Sequence, residues 1–338
     1  MSTLGATKYT LLDHAKRLDP NGKSATIVEM LAQTNAILDH MPFLMGNLPT
    51  GHRTTVRTGL PTAIWRKLYQ GVPTSKSTVA QVEESIGMLE TRSEIDKDLA
   101  ELNGATAEFR LQEGKSFIEA MSQTMATTLF YGDTDTDPEK FTGLAPRYSS
   151  LSAVNAQNII TGPSGSGSDQ TSIWLICWGP DTCHGIFPKG SMAGLQHEDL
   201  GIADAFDSSN NRYRAYMDHY QWKAGLVLRD WRYVVRIANI DTSALAAESS
   251  DADLVKLMIR ATHRLPSMGM GRCYWYMNRL AGEWLDIQSA GKSASGSSVV
   301  TNVVFDDQDK SQGKVVKSFR GIPIIETDAI LNTEAAVS

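Results

Sequence analysis

Three cysteines and one histidine come closest to the ligand set of a metal site. Cys177 and Cys183 are separated by five residues, His184 follows directly, and Cys273 lies far along the chain. Thiolates and imidazoles bind zinc, but structural zinc sites usually pair cysteines two to four residues apart. A cysteine in an apolar strand is more often a small hydrophobic residue. We therefore expect no metal and no other cofactor.

Other matches to catalytic or nucleotide-binding motifs each fail at one position. His197 and Glu198 would begin H-E-x-x-H, but Gly201 stands where the second histidine is needed. The segments NGKS and AGKS lack the first glycine of a phosphate-binding loop, since Arg17 and Asp286 occupy that position. The sequence therefore predicts a protein that is not an enzyme.

Composition limits the partners. The 338 residues are 41% hydrophobic and 21% charged, and 32 basic against 38 acidic residues give a net charge of −6. This balance disfavours tight or sequence-specific binding of nucleic-acid phosphates. No apolar run approaches the roughly 18 residues of a membrane span, and no secretory leader is visible. With only three cysteines, we expect a soluble, cytoplasmically made protein without disulfides or a membrane partner.

Residues 51–95 carry an unusual distribution of charge. Runs rich in β-branched residues (TTVRT, AIWRKLY and STVAQVEESIGMLE) are broken by turn residues, which predicts a long two-stranded excursion. Its first part is basic and bears Trp65, whereas acids follow from Glu83 onward. A two-stranded ribbon is only marginally stable alone, so a partner surface is expected.

The elements that follow are mixed. Residues 98–131 contain no proline and repeat apolar residues at helical spacing, which predicts one helix of roughly 50 Å at about 1.5 Å per residue, capped by Asp96 or Asp98 and ended by a left-handed Gly132. A shorter helix is predicted from Ser24. TSIWLICW reads as a buried strand, and Trp231 to Ile237 alternate so that one strand face is apolar and the other mostly polar. The fold class is α+β.

Three segments carry a resemblance to a known family: FTGLAPR after the long helix, WYMNRLAGEWLDIQ, and RGIPIIETDAI. With the ribbon and the long helix, they resemble the major capsid proteins of tailed bacteriophages, which have the HK97-type fold, and in particular those of short-tailed phages of the epsilon15 type. The resemblance implies an N-terminal arm (1–50), an extended β-hairpin E-loop (51–95), a P-domain with its spine helix (96–150), an A-domain with the remaining P-domain strands (151–314) and a C-terminal strand and tail (315–338).

One departure concerns the order of motifs. In the usual topology, the strand with alternating aromatic and arginine residues comes last. Here LRDWRYVVRIANI precedes both WYMNRLAGEWLDIQ and RGIPIIETDAI. The order predicts a circularly permuted topology.

The resemblance implies a capsid protein that assembles with itself, as pentamers and hexamers, into an icosahedral shell around double-stranded DNA. It further implies scaffolding, portal and cement or decoration proteins as partners, assembly in the bacterial cytoplasm, and a final place in the virion. Two alternatives stay open: an encapsulin-like nanocompartment shell, and a soluble zinc or hydrolytic enzyme.

The candidates for contacts between subunits all lie on the ribbon. They combine basic residues and a tryptophan on its first part with acids on its second: Arg53, Arg57, Trp65, Arg66, Lys67, Glu83 and Glu84.

Overall fold

The computed structural model of the protein describes residues 33, 35–102, 104, 106–162, 169–246, 253–291, 299–305 and 313–338. Helices are α1 (Ile37–His40), α2 (Lys97–Glu101), α3 (Thr106–Tyr131), α4 (Leu144–Arg147), α5 (Thr242–Ala246), α6 (Leu254–Thr262) and α7 (Arg279–Gly291). Two 3₁₀ turns cover Ala156–Asn158 and Trp231–Tyr233. None of these helices is long and apolar enough to cross a membrane.

Fourteen strands are named within the described residues. They are β1 (Phe43–Met45), β2 (Gly51–Gly59), β3 (Thr78–Ser85), β4 (Gly87–Asp96), β5 (Ile159–Thr161), β6 (Gln170–Trp178), β7 (Cys183–Phe187), β8 (Leu195–Phe206), β9 (Arg212–Leu228), β10 (Val234–Asp241), β11 (Arg272–Met277), β12 (Val299–Phe305), β13 (Gly313–Phe319) and β14 (Ile322–Glu326). Twelve of them form one mixed sheet, and β2 with β3 forms a second sheet of two strands.

Strand β6 is the centre of the body. It pairs antiparallel with both β10 and β11, and every one of its residues is buried. Trp174 packs in the core on one face, while Ile173 and Leu175 pack on the other against α6 and α7. The sequence expectation of a buried strand here is confirmed, because a run of large apolar residues can be satisfied only when both strand faces are covered.

Strand β9 connects this body to the long helix. Its last residues pair with β7, and its first part pairs with β4 on one side and β8 on the other. Helix α3 packs across β4 and β9 and buries Phe109, Met121, Met125 and Leu129. Apolar residues at helical spacing therefore mark the face that covers the sheet.

The prediction of a single helix over 98–131 is wrong in one respect. The chain forms α2 and α3, with Gly104 between them at a φ of +69°, in the left-handed region. Asp96 caps α2 by accepting a hydrogen bond from the Asp98 backbone N–H. Gly132 is not left-handed as predicted; a Cβ there would lie 2.4 Å from the Phe141 carbonyl oxygen. The glycine is required for close approach of two backbone segments.

The polar face predicted on β10 is buried rather than solvated. Arg236 and Glu334 form an ion pair of 2.8 Å with both side chains almost fully buried. Glu334 also accepts hydrogen bonds from Tyr131 and from the Ser172 hydroxyl at 2.7 Å, while Arg236 donates to the Tyr148 carbonyl at 2.9 Å. The C-terminal segment is thereby joined to the sheet and to α3 by buried charge.

The expectation that no disulfide forms is contradicted. Cys177 on β6 and Cys273 on β11 stand opposite each other in the antiparallel ladder and are joined by a disulfide, whereas Cys183 is a free, buried thiol. The two cysteines are 96 residues apart in sequence. Only the strand pairing brings them together.

The remaining sequence expectations fall in three groups. The helix predicted from Ser24 lies mostly outside the described residues; within them, Asn35 and Ala36 are not helical, and α1 begins only at Ile37 and stops at His40, before Pro42. Trp174 and Trp275 are fully buried, as core packing requires. The domain boundaries and the permuted order stay predictions.

Glu113 on α3 yields a prediction about pH. Its side chain is buried against the sheet, and desolvation raises the pKa of its carboxyl from 4.5 to about 7. A raised folded-state pKa means that the stability present below pH 4.5 is lost as pH rises through about 7.

We therefore expect Glu113→Gln to stabilise the unassembled subunit at pH 8 by about 1–3 kcal/mol and to change little at pH 5. Urea unfolding at both pH values measures the difference. Glu139→Gln, at an exposed site, is the matched control and should show no pH-dependent gain. Equal effects of Glu113→Gln at pH 5 and pH 8 would contradict the assigned pKa.

Candidate intersubunit contact surface

The two-stranded excursion predicted over 51–95 ends at Ser85, because β4 pairs with β9 in the main sheet. From here on, the ribbon means β2, β3 and the connecting tip (residues 60–77), and it extends from the body without a core of its own. Strands β2 and β3 pair antiparallel from Gly51 opposite Ser85 to Gly59 opposite Thr78. Apart from the first residues of β2 and the last of β3, most of their side chains are half-buried or exposed. Such a hairpin gains little from hydrophobic burial within its own chain.

The ribbon is anchored at its base by a buried ion pair. Glu84 on β3 receives two parallel hydrogen bonds of 2.6 Å from the guanidinium of Arg147 at the end of α4. The same guanidinium donates to the Thr142 carbonyl at 3.0 Å. A bidentate pair fixes orientation as well as distance, so it sets the direction in which the ribbon leaves the body.

A second anchor lies on the neighbouring strand. The Asn47 side chain accepts from the Arg53 backbone N–H at 2.8 Å and donates to the Arg53 carbonyl at 2.7 Å. The Arg53 side chain then reaches across to Glu83 at 2.8 Å. Both charges are half-exposed, so this pair contributes at most about 1 kcal/mol.

Under the base lie side chains that could do chemistry but are held neutral. Desolvation, with Arg229 and His52 nearby, lowers the pKa of buried His184 to about 4. Burial raises the pKa of the Cys183 thiol to about 12. His52 also has a lowered pKa, from desolvation and from Arg229, whose guanidinium lies 3.4 Å from its Nε2. At neutral pH this group is two neutral imidazoles and an unreactive thiol.

The tip is almost entirely exposed. AIWRKLY, predicted as a strand, has no regular secondary structure and makes a turn at Lys67–Gln70. Trp65 is 100% exposed, and Leu60, Leu68 and Tyr69 are also exposed. The physical reason for the misprediction is that apolar residues which serve an external surface have the composition of a buried strand.

The charges of the tip have no partner in the described part of the chain. Arg66, Lys67 and Lys76 form no ion pair there, and neither does Arg57 on β2. The structure therefore places the predicted contact residues in two groups. Arg53, Glu83 and Glu84 are bonded within the chain, whereas Arg57, Trp65, Arg66 and Lys67 face outward.

The body offers a surface of complementary chemistry, the spine pocket. It is a cavity of about 140 Å³ between α3, β4 and the segment after α3. Its lining is mostly apolar: Gly87, Met88, Leu89, Thr124, Met125, Thr128, Glu139, Lys140 and Phe141. Glu139, which lines the pocket, belongs to the acidic turn, residues 133–139, with Asp133, Asp135 and Asp137.

Of the acidic turn's carboxylates, Asp137 pairs with Lys140 at 2.6 Å, and Asp135 and Glu139 are exposed without a described cation. This segment was not among the site residues predicted from the sequence. The signal that would have found it is the run DTDTDPEK, which follows the predicted long helix.

Among the described residues, no group of three or more His, Cys, Asp or Glu side chains is arranged to hold a metal ion. Of the four residues considered for zinc, Cys177 and Cys273 are bonded to each other. The ribbon faces outward, and its contact with another molecule stays a prediction.

Comparison with known proteins identifies the class. The solved capsid protein of bacteriophage epsilon15 is 35% identical to this chain, with a TM-score of 0.77, over 100% of this chain and 99% of that chain. The capsid of bacteriophage JBD30 matches at 9% identity and a TM-score of 0.44 over 89% and 93%. The SrpI encapsulin of Synechococcus elongatus PCC 7942 matches at 10% identity and a TM-score of 0.44 over 69% and 97%. No match was found among curated proteins.

The fold and the full-length match to the epsilon15 capsid define a shell-forming phage capsid subunit with the HK97-type α+β fold, as the sequence resemblance implied. More narrowly, the chain belongs to the family of the major capsid protein GP7, whose family model matches residues 19–338. Its place is the icosahedral shell of a virion, where it assembles with copies of itself.

Proposed function

We propose that this subunit encloses a double-stranded DNA genome in a shell of pentamers and hexamers, and that it has no catalytic role. The observation that carries the proposal is the exposed tip, whose Trp65 and unpaired cations have no use in an isolated subunit. Closed shells are built from heterologous contacts repeated around symmetry axes. An arm that lies on the next subunit supplies such a contact.

The tip's receiving surface is the spine pocket of a neighbouring copy. Aromatic side chains from the tip match its apolar lining, and Arg66 and Lys67 match the acidic turn, whose Glu139 lines the pocket. Each exposed ion pair contributes only about 0–1 kcal/mol. Complementary charges at every contact therefore determine how neighbouring subunits are aligned, and they add little to the affinity of a single contact.

The shell is assembled in the bacterial cytoplasm with scaffolding and portal proteins, and cement or decoration proteins bind its outside. The net charge of −6 supports weak, non-specific contact with the genome, because an acidic subunit does not adhere strongly to a polyanion. A sequence-specific mobility shift at nanomolar protein would contradict this.

Particles purified from infected or co-expressing cells test the proposal. We expect negative-stain microscopy to show closed icosahedral shells, and nuclease treatment to leave double-stranded DNA protected inside full particles. Analytical ultracentrifugation that finds only monomers or dimers would contradict assembly. Shells that protect cargo proteins but never DNA would identify an encapsulin-like compartment instead.

A further inference from the structure

A second cluster of cations lies far from the ribbon in sequence, at the C-terminal end of α6. Arg260 and Arg264 are one turn apart at exposed positions, and His263 lies between them. Arg320 joins them from the turn between β13 and β14, where its Nη1 lies 3.1 Å from both the Thr262 hydroxyl and the His263 Nε2. We define Arg260, His263, Arg264 and Arg320 as the basic patch.

The patch lacks counter-ions. None of its three guanidinium groups has an ion-pair partner among the described residues. Six arginines elsewhere in the body are bonded to carboxylates at 3.4 Å or less: Arg110, Arg147, Arg229, Arg232, Arg236 and Arg279. Arg92 and Arg272 also have no ion pair among the described residues, but each is a single arginine on its own strand. An uncompensated group of positive charges is a surface for an anionic partner.

Arg320 is held in this position against its backbone preference. The turn Phe319–Ile322 has two central residues with positive φ, Arg320 at +53° and Gly321 at +78°. Such hairpin turns favour Asn, Asp or Gly at the first of these positions. A long side chain in the left-handed region costs folding free energy, so its presence indicates a use for the guanidinium that the hairpin does not require.

We propose that the basic patch binds phosphate groups of the enclosed DNA. The inference rests on the proposed function, in that the enclosed polymer is DNA. Arginine forks match phosphate oxygens bidentately, and all three permanent cations of the patch are arginines. A neighbouring copy's carboxylates are the alternative partner. Under the proposed function, however, the acidic turn is occupied by the basic tip, whereas the enclosed DNA presents phosphates along its whole length.

The test measures binding of a fluorescently labelled random-sequence DNA duplex to unassembled subunits by anisotropy, between 50 and 200 mM salt. Each phosphate that the protein no longer neutralises reduces the slope of log K against log salt by about 0.9. We expect the double variant Arg260→Ala, Arg264→Ala to reduce the slope by about 2. The matched control, Arg212→Ala with Arg214→Ala, removes two exposed arginines that are paired with Asp204; it changes net charge equally and should leave the slope unchanged.

A third variant separates binding from folding. Arg320→Asn suits the left-handed turn, so we expect it to raise the melting temperature while it reduces the slope by about 0.9. Equal reductions of the slope in the patch and control doubles would show a net-charge effect and overturn the proposal. Unchanged DNA binding in a patch double that no longer forms shells would assign the patch to a neighbouring subunit and also overturn it. Wild-type failure to form closed shells would instead contradict the proposed function.

Discussion

The double substitution Arg66→Glu, Lys67→Glu is expected to abolish assembly of closed shells while the subunit stays folded. Both side chains are exposed and unpaired within the described chain, so the free energy of unfolding should change by no more than about 0.5 kcal/mol. In the shell, the new carboxylates would face the acidic turn of the neighbour, and like charges across a contact cost several kcal/mol. Because the contact recurs in every subunit, the defect is repeated throughout the lattice.

Circular dichroism and thermal melting measure the fold of this variant, and ultracentrifugation with microscopy measures its shells. Since each subunit carries both sides of the contact, adding Asp135→Lys and Glu139→Lys should restore complementarity and recover assembly. Arg212→Glu with Arg214→Glu, on the far end of β9, is a control of equal charge change. Normal particles from the tip variant at normal yield would show that the tip is not the contact.

Removal of the buried Glu334 carboxylate is expected to reduce the free energy of unfolding of the subunit more than any other substitution described here. Glu334→Ala leaves the Arg236 guanidinium buried without its charge partner and removes an acceptor from Tyr131 and Ser172. Loss of one member of a buried ion pair costs about 3–5 kcal/mol. That is a large share of the roughly 5–15 kcal/mol that stabilises a typical protein, so poor yield and loss of shells are expected.

Urea unfolding of the unassembled subunit measures the loss. Glu83→Ala breaks the exposed pair with Arg53 and should cost no more than about 1 kcal/mol. The double variant Arg236→Met, Glu334→Leu removes both charges and should recover much of the lost stability. A loss below about 1 kcal/mol in Glu334→Ala would show that the pair does not join the tail to the sheet.

Sequence reasoning succeeded where a local pattern determined the structure. Strand β6 was visible because a continuous apolar run marks a strand that is buried on both faces, and α3 was visible because its apolar residues repeat at helical spacing. Sequence reasoning failed where a residue's bonding partner lies far away along the chain. Arg236 was assigned to a polar face because nothing near it in sequence indicates Glu334, and the register that brings Cys177 opposite Cys273 is a property of the whole sheet.

Only part of the contact surface was predicted, again because the sequence does not show which residues meet across the fold. Charge segregation located the ribbon and singled out Trp65, Arg66 and Lys67. Charge counts do not show which ions are bonded inside the chain, so Glu84, which Arg147 binds, was grouped with residues that face outward. The spine pocket combines three segments that only the fold brings together.

The buried pair also sets an order of events during protein synthesis. Glu334 leaves the ribosome 98 residues after Arg236. At a synthesis rate of about 5–20 residues per second, Glu334 is therefore added roughly 5–20 s after Arg236. Until then, the sheet carries a charge that it cannot bury. We therefore expect chains that end before Glu334 to be less stable than the full chain, even though their ribbon is complete, and to be poor competitors for places in the shell.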